Sequence, residues 1–424
     1  MFFLRFEFLV TFILITSQTF TQPLFDAYRK RDLKKVEKLL NKDPGLVNVR
    51  DDHQNALLHL TTRNSSTSFS KLLIDRDADV NLLDATGKSP IFYAVRNGDI
   101  ETVKYLLKKG ASLMLKDNKG ENLLFYALEN NEIFELLIQS GADYNYINEA
   151  GNTLLSETIS KNKTSLALYL IRNKVHINTL DDRDLLPIEE AINQDDQGVF
   201  DALLNAGADI NSPNRSGKTP IFYAINSNNS HYFSTLLNKG AKIDLPDINN
   251  SLPVHYCSDL NYLDLLINKG GNINLEDNFG FTPLEYAILR NDFPSVERLI
   301  EKGAFVNQIS VKNGMTPMLV AAFHGNFAIY EFLLRNGGKL NSRDYNGAND
   351  LLWFLTYDAE SDFDKFEPIN CKEFIIFLLK NGIDVNLQDK NGNTALNYAI
   401  SRGFLSIVKL LKENGADVNI RNGE

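Results

Sequence analysis

Residues 214–246, with the sequence NRSGKTPIFYAINSNNSHYFSTLLNKGAKIDLP, decide how this chain folds. The first four residues have the composition of a tight turn, in which Gly217 can adopt a positive φ. Thr219 and Pro220 are typical of the N-cap and the first position of a helix. Apolar residues then recur at helical spacing with one polar interruption, and Gly240 is typical of a helix end. The segment predicts two short antiparallel helices followed by an extended loop.

The same pattern returns along the chain with a period of about 33 residues. Its clearest marker is the phrase Gly-Ala-Asp-Val-Asn, complete at 415–419. Neither helix of such a segment can bury its apolar face alone, so neighbouring repeats must stack. We therefore predict an all-α repeat solenoid of about 12 repeats, without one central core. The last position of the marker phrase falls at Asn48, Asn81, Met114, Asn145, Asn178, Asn211, Asp244, Asn274, Asn307, Asn341, Asn386 and Asn419.

These repeats resemble the ankyrin repeat family over residues 24–424. The resemblance implies helix-turn-helix units with β-hairpin loops that project like fingers. It also implies that partner proteins bind on the concave surface of the fingers and first helices. His59 and His255 stand at the family's histidine position, where a turn-stabilising hydrogen bond is implied. The family's Thr-Pro-Leu-His-x-Ala phrase is echoed at residues 89–94, 219–224, 252–257 and 282–287.

The N terminus has the pattern of a secretory signal peptide, which we assign to residues 1–21. Arg5 precedes an apolar run from Phe8 to Ile15, and polar residues follow. The run is too short to span a bilayer as a stable helix. The alternative interpretation is a buried N-terminal capping helix.

The remaining residues, 22–424, are assigned to the repeat array. Residues 24–48 lack the Thr-Pro phrase and are expected to form an N-terminal cap. Charged residues in the second helix of the last repeat, such as Lys409 and Glu413, suggest a C-terminal cap. A long repeat contains an acidic insert at about 358–370, which we interpret as a solvated loop and a candidate contact site.

The composition gives no support to catalysis, metal binding or nucleic-acid binding. The net charge of -10 argues against a nucleic-acid partner, because such proteins usually carry a basic face. The 6 histidines are scattered over different repeats, and no zinc-site spacing or phosphate-binding loop occurs. We therefore expect a monomeric protein that is not an enzyme, has no cofactor and has no stable membrane span.

Positions that the motif does not use for packing are candidates for binding a partner. Phe279 and Phe281 flank the turn glycine Gly280, at finger positions that are normally polar. Adjacent repeats are roughly 10 Å apart, so apolar residues at such positions should form one strip from about residue 277 to 357. Alternatively, neighbouring fingers cover some of these side chains. The predicted partner-binding residues are Phe279, Phe281, Leu289, Arg290, Val311, Met315, Phe323, His324, Tyr345 and Tyr357. A second candidate group consists of Tyr144, Tyr146 and Ile147.

We expect a non-catalytic protein-protein interaction scaffold that binds a partner protein through the concave surface of the fingers and inner helices. The signal peptide predicts export, to the periplasm or out of the cell. Two alternatives stay open. One is a secreted effector or toxin that acts on a host protein, and the other is a cytoplasmic regulator of the ankyrin type.

Overall fold

The computed structural model describes residues 22–227, 229–356 and 369–422, with the side chains of the last segment from Lys372 onward. The predicted signal peptide and residues 358–368 of the insert lie outside these ranges. Within them the chain forms 24 α-helices, a 3-10 helix at Pro44–Asn48 and no β-strand. In chain order the α-helices are α1 (22–29), α2 (Leu33–Lys42), α3 (Leu57–Arg63), α4 (Thr67–Ile74), α5 (Pro90–Arg96), α6 (Ile100–Lys108), α7 (Leu123–Tyr126), α8 (Asn131–Gln139), α9 (Leu154–Ser160), α10 (Thr164–Arg172), α11 (Pro187–Asn193), α12 (Gln197–Asn205), α13 (Pro220–Asn226), α14 (Ser230–Asn238), α15 (Pro253–Tyr256), α16 (Leu260–Asn268), α17 (Pro283–Leu289), α18 (Phe293–Glu301), α19 (Pro317–Phe323), α20 (Phe327–Arg335), α21 (Asp350–Thr356), α22 (Ile369–Lys380), α23 (Ala395–Ser401) and α24 (Leu405–Glu413).

The chain divides into two compact units, Met1–Asp209 and Ile210–Glu424. In each unit the first helix of a pair packs against its own second helix and against the first helix of the next pair. Helix α5, for example, contacts α3, α6 and α7. Second helices stack in the same way, as α4 does on α6. Each unit is therefore a stack of helix pairs, as the sequence predicts. The longest described helix has 12 residues, and no described helix is long and apolar enough to cross a membrane.

The helix boundaries predicted for residues 214–246 are confirmed. Helix α13 begins at Pro220 with Thr219 in the N-cap position, and Gly240, with φ +88°, follows the end of α14. The Thr219 hydroxyl makes no capping hydrogen bond, whereas the Thr316 hydroxyl accepts one from the Leu319 N–H at 3.3 Å. Pro220 itself removes one of the N–H groups that a helix start leaves without a partner.

The histidines at the family's histidine position form the expected hydrogen bonds. Nδ1 of His59 accepts from the Ala56 N–H at 3.2 Å, and Nδ1 of His255 accepts from the Leu252 N–H at 3.0 Å. Nε2 of His255 lies 3.0 Å from the carbonyl oxygen of Leu275, in the loop that leaves the repeat. Burial lowers the pKa of both rings, so each stays neutral, with Nδ1 as acceptor and Nε2 as donor.

Most of the described finger loops are tight turns built on an aspartate, and Asn148, Asn214 or Ser310 stands at the equivalent position of the others. The β-hairpin strands implied by the family resemblance are not formed in the described residues. In the loop of Asp84, the carboxylate accepts the N–H groups of Thr86 and Lys88 at 2.8 and 3.1 Å. Neighbouring loops are joined by single main-chain hydrogen bonds, such as Asn278 N–H to Asn249 O at 2.8 Å. Local side-chain bonds of this kind hold a turn without a strand ladder.

The asparagine that ends each marker phrase bridges to the next repeat. The Asn307 side chain accepts the Lys339 N–H at 2.9 Å and donates to the Gly337 carbonyl at 2.8 Å. Asn81, Asn211, Asn274, Asn341 and Asn386 form the same pair of hydrogen bonds to the following repeat. Met114 stands at this position in one repeat, is exposed, and has no side chain that can form the bridge.

We predict that replacing Asn307 by Met lowers the stability of the protein, because two hydrogen bonds between repeats are lost. At about 0.5–1.5 kcal/mol for each hydrogen bond, the expected loss is about 1–3 kcal/mol in the free energy of unfolding. The matched reverse variant, Met114→Asn, places an amide before the Asp143 N–H and the Gly141 carbonyl and should be stabilising. Urea unfolding, monitored by circular dichroism, measures both effects. An unchanged unfolding midpoint for Asn307→Met would show that the bridge does not contribute to stability.

Candidate functional site

Four consecutive finger loops of the unit Ile210–Glu424 carry an exposed apolar side chain at their tips. We call these four residues, Ile248, Phe279, Val311 and Tyr345, the tip row. They follow Asp247, Asp277, Ser310 and Asp344, respectively, by one or two positions. The exposed fractions are 65% for Ile248, 54% for Phe279, 72% for Val311 and 51% for Tyr345.

The chain holds the tip row in place by local hydrogen bonds. The Asp277 carboxylate accepts the Phe279 N–H at 2.9 Å and also the Tyr286 hydroxyl at 2.7 Å. Tyr256 bonds to Asp247 in the same way at 2.6 Å. Burial, reinforced by this hydrogen bond, raises the pKa of Tyr256 to about 12, so the hydroxyl keeps its proton and donates. The loops of Asp247 and Asp277 are therefore each anchored to the helix that follows them.

Hydrogen bonds also connect each tip to the next. The Asn278 amide donates to Ile248 O, the Asn313 amide donates to Phe279 O, and the Tyr345 hydroxyl donates to Val311 O, each at 3.3 Å. Gly314, with φ +75°, lies so close to Tyr345 that an added Cβ would come within 2.6 Å of its main-chain nitrogen. The tips are thus fixed relative to one another while their side chains stay exposed.

Most other described loops are polar at the same positions. The first two residues after the loop acid are Asp52 and His53, Asn118 and Lys119, Asp182 and Arg183, or Lys390 and Asn391. Because these loops share one geometry with the loops of Ile248, Phe279 and Tyr345, the loop fold itself does not require an apolar tip. The apolar tips therefore mark one part of the chain as a candidate contact surface.

The structure places Phe279, Val311 and Tyr345 of the predicted strip together on the tip row. Phe281 is half-buried, with its ring edge-on to Tyr286 at 5.9 Å. Met315 is buried, so it offers no side-chain surface to a partner, contrary to the prediction. Its loop is one residue longer than the others, and its carbonyl accepts the Ser310 N–H at 2.8 Å.

The predicted residues at the helix ends have different surroundings. The Arg290 guanidinium donates to the carbonyls of His255 and Cys257 at 3.0 and 2.9 Å. Helix α15 has only four residues and leaves these carbonyls without partners in its own helix. Arg290 therefore supports the preceding repeat. Phe323 lies edge-on to Trp353 at 5.0 Å, His324 is exposed and Leu289 is half-buried. Tyr357 lies outside the described residues.

The second candidate group contributes one exposed apolar side chain. Tyr146 donates its hydroxyl to Gly120 O at 2.7 Å, and the Lys116 ammonium lies 4.2 Å from its ring centroid. Tyr144 is half-buried, whereas Ile147 is exposed. Tyr146 is therefore bonded within its own unit.

Three exposed apolar residues near the predicted strip were not among the predicted site residues: Ile248, Phe305 and Ile309. Phe305 and its neighbours Val306 to Gln308 line, with Asn274, an open groove of about 630 Å³. Phe305 stands where other marker phrases have an acid, such as Asp209 and Asp417. The sequence alone shows this difference, so Phe305 could have been found by comparing the marker phrases with one another.

Two of the buried carboxyl groups in the repeats that carry the tip row, Glu285 and Asp350, have a raised pKa. Glu285 accepts from the N–H and hydroxyl of Thr282 at 2.7 and 2.9 Å, and burial raises its pKa to about 7. Asp350 accepts the Asn341 N–H at 3.0 Å, and burial raises its pKa to about 6. Among the described residues, no group of three or more His, Cys, Asp or Glu side chains is placed to hold a metal ion.

The fold and this surface define a stacked helical repeat protein of the kind that serves as a protein-interaction module. The family profile for ankyrin repeats, in sets of three copies, matches residues 24–117, 188–274, 254–344 and 369–422. The chain therefore belongs to the ankyrin repeat family, which is generally non-catalytic.

Similar proteins come from distant organisms and match over part of the chain. Ankyrin repeat protein nuc-2 of Neurospora crassa is 30% identical over 174 residues, which are 39% of this chain and 15% of that protein. The fowlpox virus ankyrin repeat protein FPV031 is 31% identical over 140 residues, 32% of this chain and 38% of the relative. Alpha-latrotoxin-Lg1a of Latrodectus geometricus is 30% identical over 142 residues, 34% of this chain and 10% of the toxin. The chain thus spans less than half the length of each relative.

We predict that the Asp350→Asn variant is more stable than the wild type at neutral pH and equally stable near pH 4. The pKa of Asp350 is raised from 3.8 to about 6 on folding, so the folded protein binds the proton more tightly than the unfolded chain. This group therefore lowers stability as pH rises from about 4 to about 6, by about 3 kcal/mol in all. Asparagine does not ionise and avoids that loss.

Urea unfolding at the two pH values measures the effect. Asp384→Asn is the matched control, because Asp384 belongs to the same repeat and is exposed. A stability difference between Asp350→Asn and the wild type that is the same at both pH values would show that ionisation of this carboxyl is not involved.

Proposed function

We propose that this protein is a non-catalytic scaffold that binds a partner protein through the tip row and the adjoining ends of the first helices. The observation that carries the proposal is the run of four successive loops with apolar, exposed tips. Large aromatic side chains such as Phe279 and Tyr345 are typical of the residues that contribute most to binding energy at interfaces. Burial of apolar surface contributes roughly 25 cal/mol for each Å² removed from water.

The rigidity of the loops supports this proposal. Binding loses affinity when loops must be ordered, and the hydrogen bonds from Asn278, Asn313 and Tyr345 order the tips beforehand. The half-buried pair Phe323 and Trp353 adds a second apolar contact at the ends of first helices. Arg290 is better assigned to the support of α15 than to partner contact.

We further propose that the protein is exported after cleavage of residues 1–21. The support is the sequence pattern of a basic residue, an apolar run from Phe8 to Ile15 and a short polar end. An intracellular regulator of the ankyrin type is the alternative, and its N terminus would be intact.

A second candidate function is that of a secreted effector or toxin acting on a host protein. The observation that favours it is the similarity of part of the chain to alpha-latrotoxin-Lg1a, together with the export pattern. The binding surface would be the same, and the difference lies in which cell supplies the partner.

The binding proposal predicts that a triple variant, Phe279→Ala with Val311→Ala and Tyr345→Ala, loses its partner. Because side chains of this kind cost about 1–2 kcal/mol each when truncated, affinity should fall by at least about 100-fold. The matched control carries Leu83→Ala and Met114→Ala, which shorten two exposed apolar residues of the other unit that belong to neither candidate group.

The measurement is capture by tagged protein from producing cells and from candidate host cells, with bound proteins identified by mass spectrometry. Circular dichroism establishes that both variants are folded. Capture by wild type and control but not by the tip-row variant supports the proposal. Equal capture by the wild type, the control and the tip-row variant would show that the tip row does not bind the partner. A partner found only in host cells would favour the secreted effector or toxin.

The export proposal predicts that the protein isolated from its native source lacks Met1 and begins within residues 18–22, after cleavage at Ser17 or Thr21. Mass spectrometry of the intact protein measures this directly. An intact N terminus in the native protein would favour the intracellular regulator.

A further inference from the structure

Three consecutive finger loops, 272–281, 305–315 and 339–348, contain as many bases as acids but expose only the bases. The bases are Lys312, Lys339 and Arg343, and the acids are Glu276, Asp277 and Asp344. All three bases are exposed, and no other residue in the described part of the chain forms an ion pair or a side-chain hydrogen bond with them. The acids are buried or half-buried.

The acids are held by donors within the loops. The Glu276 carboxylate accepts the Gln308 amide at 3.0 Å and the Val311 N–H at 3.1 Å. Asp277 and Asp344 each accept the N–H two residues further on at 2.9 Å. Their oxygens therefore already have partners, whereas the three cations have none. A partner that reaches this surface meets unpaired positive charge.

This arrangement is not general among the fingers. Most of the other described finger loops expose an acid, as Asp79, Asp143 and Asp384 show. The whole chain has a net charge of -10. A surface whose exposed charges are all positive therefore differs from most of the molecule.

The middle loop of the three also exposes most apolar surface. The exposed fractions are 62% for Phe305, 57% for Ile309 and 72% for Val311. Lys312 directly follows Val311, so one cation lies at the tip of this loop beside an apolar side chain.

The repeat register places the other two cations beside the same loop. Lys339 has in its marker phrase the position that Phe305 has in the preceding one. Arg343 lies directly before its loop acid, at the position that Ile309 has before Ser310. Helices α19 and α21 pack on each other, so equivalent positions of these repeats are roughly 10 Å apart. We call the resulting patch the mixed surface, and its residues are Phe305, Ile309, Val311, Lys312, Lys339 and Arg343.

We propose that the mixed surface binds an acidic segment of the partner protein, one that carries aspartate or glutamate among apolar residues. The inference rests on the proposed function, because it names the chemistry of the partner that meets the tip row. Carboxylates of the segment pair with the three cations, and its apolar side chains cover Phe305 and Ile309. Charge complementarity of this kind selects a partner and speeds association.

The shape of the surface favours a polypeptide over a lipid membrane. Phe305 and Gln308 line, with Asn274, the open groove of about 630 Å³. A polypeptide can place single side chains in a groove and carboxylates beside it. Apolar groups that enter a bilayer must instead project outward together on one face.

Binding of two acidic polymers to the full chain tests the proposal. One probe is a random copolymer of glutamate and tyrosine, and the other is polyglutamate of matched length. Fluorescence anisotropy of the labelled polymers gives their affinities. We expect the copolymer to bind more tightly, because only the copolymer offers apolar surface, and we expect added salt to weaken its binding.

Charge reversal shows whether the mixed surface is responsible. The charge variant carries Lys312→Glu, Lys339→Glu and Arg343→Glu, and should bind the copolymer at least about tenfold more weakly than the wild type. The matched control carries Lys108→Glu, Lys119→Glu and Lys174→Glu, which change the net charge equally at exposed positions of the other unit. The control should bind as the wild type does, and circular dichroism establishes that both variants are folded.

A copolymer that does not bind, or that binds the charge variant and the control equally, would overturn the proposal. Binding to phosphatidylserine vesicles in place of the copolymer would overturn it as well, and would indicate a membrane surface as the partner.

The partner captured by the wild type separates this inference from the proposed function. Capture of that partner by the charge variant but not by the tip-row variant would contradict the acidic segment alone. Undiminished capture by the tip-row variant would contradict the proposed function itself.

Discussion

Within the stacks of helix pairs, one side-chain bridge recurs at most joints, in which the asparagine at the end of a repeat bonds to two points of the next. Helix caps fix each repeat internally, but the register between repeats must come from contacts across the joint. An amide side chain both accepts and donates, so Asn307 can bond to an N–H and a carbonyl at the same time. Because both partners are main-chain groups, the side chains of the next repeat can vary without loss of the bridge.

The helix pairs could be predicted from sequence because their signals are local. Pro220 and Gly240 mark a helix start and a helix end wherever the repeat stands. The role of Arg290 and the burial of Met315 could not be predicted. The first depends on α15 ending after four residues in the preceding repeat, and the second on a loop with one additional residue. Both are contacts that residue spacing does not determine.

Part of the candidate site could also be predicted from local signals in the sequence. Phe279, Val311 and Tyr345 stand at positions that the repeat pattern places outward, and they lie on the tip row. Ile248 also has this signal, an apolar residue directly after a loop acid, and alignment of the chain with its own repeats would have found it. The half-burial of Phe281 depends on where the Tyr286 ring lies, and that position is set by the tertiary packing of α17.

The missing bridge at Met114 has a mechanical consequence. In a linear stack, a load along the axis passes through every joint in turn, because each repeat contacts only its neighbours. Within the unit Met1–Asp209, Asn48 and Asn81 tie their joints to the following main chain, and Met114 does not. Each bond across a joint resists separation of the two repeats, and Met114 leaves out two of them. Met114 therefore makes its joint more compliant than an asparagine at that position would.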